Sequence, residues 1–191
     1  PVKLNVMGIH NVYNALASIA ITHTLGVPIE VVLDAIEDYK GTHRRLEFKG
    51  IIDGIKIIDD YAHHPTEIKA SLEALKNSTH EKIWCIFQPH TYTRTKLLLN
   101  SFSTAFKNAD KVIIPDIYAA REKNTNLIHS TDLVDALVEN GTDAIYISSF
   151  ESIENYILEN VKAGDIVVTM GAGNVYTIGD TLLESSKKKA I

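Results

Sequence analysis

The sequence predicts an α/β fold: a doubly wound, mostly parallel sheet with an antiparallel hairpin at one edge, preceded by two helices. Three observations point to it. Two apolar, strand-like runs are joined by Asp53-Gly54, a dipeptide suited to the positive φ angles of a two-residue hairpin turn. From residue 65 onward, strand-length apolar runs alternate with segments of helical period. The composition is that of an ordinary globular chain, 45% hydrophobic and 23% charged over 191 residues, which suffices to bury a core without disulfides or metal staples.

Each element has its own local reason. The first helix is expected over about His10–Leu25, Ala-rich and stopped by Gly26. The second opens with Pro28 in its first turn, where a missing N–H is tolerated, and sets Ile29, Val32, Leu33 and Ile36 on one face. Gly41 is expected to end it, and Gly41-Thr42-His43 reads as a hinge. Leu46–Ile52 and Ile55–Ile58 then form the hairpin. Helix Pro65–Lys76 carries Ile68, Leu72 and Leu75 on one face. Strand Lys82–Phe87, helix Thr95–Asn108, strand Lys111–Pro115 and helix Thr131–Asn140 follow in turn. Strand Ala144–Ile147 leads into a helix opened by a Ser148/Glu151 capping box. Strand Asp165–Met170 leads into a last helix from about Asn174. The basic tail Lys187, Lys188 and Lys189 reads as a solvated, frayed end.

Charge and cysteine usage narrow the function classes. Lys plus Arg number 19 and Asp plus Glu 24, a net charge of −5, which argues against wholesale binding of nucleic acid or an anionic membrane. A local basic pocket is still compatible with it. The single Cys85 excludes an internal disulfide and favours a reducing, cytoplasmic setting. No apolar run reaches the roughly 18 residues of a membrane span. The chain begins at Pro1 without a Met, so it is expected to be cut from something longer. The oligomeric state is left open.

In open α/β sheets, ligands bind beyond the carboxyl ends of the strands. The segments expected there are 59–67 (DDYAHHPTE), 88–95 (QPHTYTRT), 116–122 (DIYAARE) and 171–174 (GAGN). They gather histidines and arginines at one edge, which predicts a ligand crevice. Asp59 and Asp60 are adjacent, so one is expected to face the crevice and the other to end a strand or cap a helix. The same holds for His63 and His64. His90 and Arg94 lie a helical turn apart and suit joint recognition of an anion, since the planar guanidinium binds a carboxylate through two parallel hydrogen bonds. Gly171-Ala172-Gly173 either makes a tight turn or lets backbone N–H groups approach an anion. Asn11 and Asn14 share one helical face and are either a solvent-facing stripe or readers of a ligand's hydrogen-bonding edge. Arg44 and Arg45 are either surface charges or hinge contacts to a phosphate. The chain has no G-x-x-x-x-G-K-[ST] phosphate loop, no Cys/His zinc spacing and no Gly-x-Ser-x-Gly elbow.

These segments carry a resemblance. GIHNVYNALASIA (8–20), GTHRRLEF (41–48), DDYAHHPTE (59–67), FQPHTYTRT (87–95), DIYAARE (116–122) and GDIVVTMGAGNVY (164–176) resemble, in order and over almost the whole chain, the carboxy-terminal part of the Mur ligase family. The pairing of DDYAHHPTE with FQPHTYTRT resembles the branch that joins L-alanine to UDP-N-acetylmuramate. The resemblance implies that residues 1–42 are the last helices of a central ATPase domain and that residues 43–191 are a Rossmann-like carboxy-terminal domain. It implies ATP with Mg2+, held mainly by an upstream domain, and UDP-N-acetylmuramate and L-alanine as partners. It further implies a reaction that passes through an acyl phosphate during peptidoglycan precursor synthesis.

Residue by residue, the resemblance places Asn11 and Asn14 at the adenine and Arg45 at the nucleotide phosphates, with Arg44 as its neighbour. Asp60 falls near the ribose. Tyr61, His63, His90 and Arg94 fall around the incoming amino acid and the reacting centre. Thr91 departs from the Arg, and Arg121 from the Gly, that many relatives have. The isolated 191 residues are expected to be inactive. Three other readings compete: a related ligase adding a peptide to UDP-N-acetylmuramate, a metal-dependent phosphohydrolase using Asp59, Asp60, His63, His64, His90 and Asp116, and a stand-alone nucleotide-binding or interaction module.

Overall fold

The computed structural model describes residues 1–189, with side chains through residue 185. Helices α1 (Ile9–Thr24) and α2 (Ile29–Asp38) come first, then the hairpin β1 (Glu47–Ile52) and β2 (Ile55–Asp60). After them run α3 (Pro65–Lys76), β3 (Ile83–Phe87), α4 (Tyr92–Leu97), α5 (Leu99–Phe102), β4 (Lys111–Ile114), α6 (Ser130–Glu139), β5 (Ala144–Tyr146), α7 (Phe150–Asn160), β6 (Ile166–Met170) and α8 (Tyr176–Lys189). The sheet order is β1-β2-β6-β3-β4-β5. Only β1 runs antiparallel; β6 inserts between β2 and β3 and pairs parallel with both. The hairpin turn places Asp53 at φ 49° and Gly54 at φ 82°, the double positive φ that the dipeptide predicts.

The central strands are apolar throughout because both faces are covered, and alternate side chains serve alternate faces. Ile58, Cys85, Phe87, Val112, Ile114, Val168 and Met170 meet α3, α5 and α6 on one side. Ile57, Ile86, Ile113 and Val167 meet α7 and α8 on the other. On the first face the Phe87 ring packs between Phe102, at 5.5 Å, and Phe106, at 5.2 Å. Full burial of such a ring contributes about 1.5–3 kcal/mol. By contrast α1 buries none of its residues, and Ile9, Tyr13, Leu16, Ile21 and Leu25 stand exposed on it. Among the described residues no helix is long and apolar enough to cross a membrane.

The departures from expectation are local. The helix expected over Thr95–Asn108 is two short helices and a series of turns. Thr91 caps it early, the backbone relaxes at Leu98 (φ −103°, ψ 11°), and after Phe102 the chain turns so that both phenylalanines reach Phe87. The capping box expected at Ser148 and Glu151 does not form. Ser149 is the N-cap instead, its hydroxyl accepting from the backbone N–H of Ser152 at 3.1 Å. α2 ends at Asp38, before Gly41. β2 continues to Asp60 because Asp59 and Asp60 pair with Thr169 and Met170. The expectation for Lys187, Lys188 and Lys189 concerns side chains outside the described ones.

Candidate functional site

β2, β6 and β3 lie side by side and point the same way, so the residues that follow them converge. Backbone hydrogen bonds lace these loops together. Gly171 N donates to Asp60 O at 3.0 Å, Gln88 N to Met170 O at 2.9 Å, Tyr118 N to Pro89 O at 2.8 Å and Thr91 N to Tyr118 O at 2.8 Å. Along the resulting crevice runs a row of rings. Tyr61 meets His63 edge-on at 5.6 Å, His63 lies 6.1 Å from His90, and His90 stacks on Tyr118 at 5.5 Å.

The histidine pair divides as its adjacency requires. His64 is the N-cap of α3: its Nδ1 accepts from Thr66 N at 3.3 Å, and the Glu67 carboxylate accepts from His64 N at 3.1 Å. His63 turns to the crevice, its Nδ1 within 3.0 Å of Tyr61 O. Burial, then the nearby Arg94 charge, then His63, push the His90 imidazole below its ordinary pKa, which favours its neutral form. Arg94 enters from α4, whose N-cap Thr91 holds a positive φ of 68°. That strained conformation is locked by the Thr91 bond to Tyr118 and by Thr95 Oγ1 donating to Thr91 O at 2.7 Å.

Asp59 and Asp60 are buried and bonded within the protein, whereas Asp116 is exposed. Asp59, 1% exposed, accepts from Arg44 Nε at 2.8 Å and Thr169 Oγ1 at 2.7 Å. Asp60, also buried, accepts from Ala62 N at 2.7 Å, Ser71 Oγ at 2.8 Å and Leu46 N at 3.2 Å, while burial raises its pKa. Asp116 takes the Tyr146 hydroxyl at 2.6 Å. Among the described residues no three His, Cys, Asp or Glu side chains converge as a metal site, which removes the ligand set of the phosphohydrolase reading.

Arg44 and Arg45 part company. The Arg44 guanidinium is enclosed by protein, whereas the Arg45 side chain is 55% exposed, its nearest carboxylate Glu67 at 3.9 Å. Arg45 lines a cavity of about 510 Å³ together with His10, Asn11, Asn14, Asp60, Glu67 and Ser71. Asn14 Nδ2 donates to Asn11 Oδ1 at 3.1 Å, so the two amides act as a unit at its mouth. Asn11, Asn14, Arg45 and Asp60 therefore share one cavity, and Tyr61, His63, His90 and Arg94 border the crevice, with Tyr61 between Arg45 and His63.

Among the described residues, four buried side-chain polar atoms have no hydrogen-bond partner: Gln88 Oε1, His90 Nδ1, Arg94 Nη1 and His10 Nδ1. Each such atom costs about 1–3 kcal/mol, so native structures keep them where they serve. The first three come from the segment that follows β3, and the fourth from the lining of the cavity. Gln88 and Glu122 were not singled out by the sequence. Gln88 directly follows β3, a positional signal. Glu122 accepts from Thr93 N at 3.0 Å and from the Thr93 hydroxyl, steadying the start of α4 across a gap of 29 residues that leaves no local trace.

Comparison with known proteins agrees with this geometry. The family model described as Mur ligase, glutamate ligase domain, matches residues 44–173. The UDP-N-acetylmuramate–L-alanine ligase of Caldanaerobacter subterraneus subsp. tengcongensis is 55% identical over 97% of the chain and 40% of its own length. Among solved structures, UDP-N-acetylmuramate-alanine ligase MurC from Thermotoga maritima superposes with a TM-score of 0.83 at 31% identity, over 98% of this chain and 40% of that one. A murein peptide ligase from Psychrobacter arcticus superposes at 0.71 with 28% identity, over 96% and 38%. The chain thus spans about 40% of the length of the curated relatives it matches. A family match over residues 44–173, which take in the hairpin, the loops after β2 and β3, and β6, together with a relative 55% identical over 97% of the chain, makes this chain a member of the Mur ligase family.

Proposed function

We propose that the chain forms the carboxy-terminal part of an ATP-dependent ligase that joins L-alanine to UDP-N-acetylmuramate in cytoplasmic peptidoglycan precursor synthesis. In this reading residues 1–42 are the closing helices of the ATPase domain and residues 43–191 the domain that receives the amino acid. The observation that carries it is the cluster of unpartnered buried polar atoms at the crevice, on a chain more than half identical to alanine-adding ligases.

The chemistry divides between the two sites. In the cavity, the paired amides of Asn11 and Asn14 offer both donors and acceptors to an adenine edge. Arg45 offers its exposed guanidinium to phosphates, and the buried Asp60 shapes the wall near the ribose. ATP transfers its terminal phosphoryl group to the lactyl carboxylate, giving an acyl phosphate and ADP. In the crevice, Arg94 neutralises the alanine carboxylate and Tyr61 closes one side. The ammonium must lose a proton before its nitrogen attacks the acyl carbon. His90, whose pKa is lowered chiefly by burial, and His63 beside it are the groups proposed to accept that proton. The tetrahedral intermediate then expels phosphate. Catalysis here is chiefly positioning and charge stabilisation. Mg2+ is expected with ATP. Among the described residues this chain gathers no carboxylate–imidazole set for it.

A peptide-adding ligase is the second reading, favoured by the likeness to the murein peptide ligase. The test is a substrate panel on the full-length enzyme with ATP and UDP-N-acetylmuramate. Alanine-dependent ADP release is expected; release with a peptide and none with alanine would replace the first reading by the second.

A further inference from the structure

We infer that Arg44 is a positioning residue that couples the nucleotide cavity to the amino-acid crevice, and not a phosphate ligand. The inference rests on the ligase reading above. The Arg44 side chain is 12% exposed and every nitrogen of its guanidinium is engaged. Nε donates to Asp59 Oδ2 at 2.8 Å, Nη2 to Gly171 O at 2.7 Å and Nη1 to Gly173 O at 3.2 Å. Its Cζ lies over two aromatic rings, 4.9 Å from the centroid of Tyr61 and 4.6 Å from that of Tyr176. A planar cation held against two rings and bonded through each nitrogen is a use for which lysine is no substitute.

The anchor joins parts that belong to different sites. Arg44 sits in the segment leading from α2 into β1, at a φ of 57° that its own backbone bonds sustain: its N–H donates to Glu47 at 2.8 Å and its C=O accepts from Tyr61 N at 2.7 Å. The next residue, Arg45, borders the nucleotide cavity. The groups Arg44 grips, the end of β2 and the turn after β6, are walls of the crevice. Gly171 and Gly173 in turn abut Gln88, and Gly173 abuts the Tyr118 ring that stacks on His90. Loosening Arg44 therefore frees Arg45 on one side and the Tyr61 and Gly171–Gly173 walls on the other. A phosphate ligand would need guanidinium N–H groups open to it; Arg44 is enclosed and already donates from each nitrogen, whereas the Arg45 side chain is 55% exposed.

The test is steady-state kinetics of full-length Arg44→Lys beside Arg45→Lys, with thermal melting of each. Arg44→Lys is expected to raise the KM of ATP and of alanine together, each by about tenfold or more, as misplacement of groups far from the chemistry does. Arg45→Lys is expected to raise the KM of ATP alone. A lowered melting temperature with both KM values unchanged would make Arg44 merely structural. A rise confined to ATP would make it a phosphate contact. Either result overturns the inference. If Arg44→Lys does not fold, Tyr176→Leu keeps the hydrogen bonds and removes one stacking face; a joint rise of about threefold is then expected, and the same two results overturn it. Failure of the ligase reading itself shows separately, as wild-type enzyme that takes no alanine, and the variants are then compared on the amine it does take.

Discussion

Arg94 and Arg44 present the same functional group to one sheet edge with opposite consequences. The guanidinium of Arg44 is satisfied on every nitrogen, whereas Arg94 keeps a buried Nη1 without a partner beside an imidazole that is held neutral. Only the second has a buried nitrogen with no partner at all. A charge-assisted hydrogen bond contributes about 1.5–3 kcal/mol, so full-length Arg94→Ala is expected to raise the alanine KM roughly tenfold to a hundredfold and to leave the ATP KM within about twofold. Initial-rate kinetics with each substrate varied will show it; equal rises in both would argue against the carboxylate role. At this scale the sequence was informative where position along the chain decides placement. His90, Arg94, Tyr61 and His63 all follow a strand end, and the rings of Tyr61, His63 and His90 adjoin in a row. It was silent where two adjacent residues of one type compete. Which of His63 and His64 caps α3, and which of Arg44 and Arg45 is free, depends on backbone angles such as the φ of 57° at Arg44 and on partners as distant as Gly173.

The turn between β6 and α8 shows how tightly the elements are fitted. A Cβ at Gly173 would lie 2.3 Å from Gln88 Oε1 and 2.8 Å from Tyr118 Cγ, so a methyl group cannot enter without moving the amide or the ring. Gly173→Ala is therefore expected to destabilise the chain by about 1–3 kcal/mol, a fall in melting temperature of about 2–4 °C for each kcal/mol at this size. Differential scanning fluorimetry will measure it, and an unchanged melting temperature would mean that Gln88 and Tyr118 yield freely. Because Tyr118 stacks on His90, the same variant is expected to lower turnover in the full-length enzyme. Elements with a dense local code were legible almost to the residue. α3 has its cap, its first-turn proline and an apolar stripe, and it runs Pro65–Lys76 as the pattern requires. The stretch after β3 has the apolar residues of a helix, Leu98, Leu99, Phe102 and Phe106, but their destination is the Phe87 ring, and turns reach it better than a continuous helix. Tertiary packing overrides local period there.

At the scale of the whole molecule, the two sites are unequal in what this chain supplies. Its α/β unit is closed on both faces by apolar clusters, and β1 through α8 provide all of its sheet. The cavity beside α1, by contrast, is walled by α1, the hinge and α3, and α1 leaves its apolar side chains uncovered. No G-x-x-x-x-G-K-[ST] loop is present to cradle the transferred phosphoryl group. Ligation demands that acyl donor, nucleotide and amine be held within contact distance at once, an arrangement whose rate advantage is lost when one binding surface is missing. The purified 191 residues are therefore expected to melt cooperatively yet to release no ADP on addition of ATP, UDP-N-acetylmuramate and L-alanine, while the full-length protein does so under the same conditions. The cooperative melt separates an incomplete site from a chain that has not folded. Alanine-dependent ADP release by the fragment alone would mean that α1, α2 and the hinge carry a complete phosphoryl-transfer site.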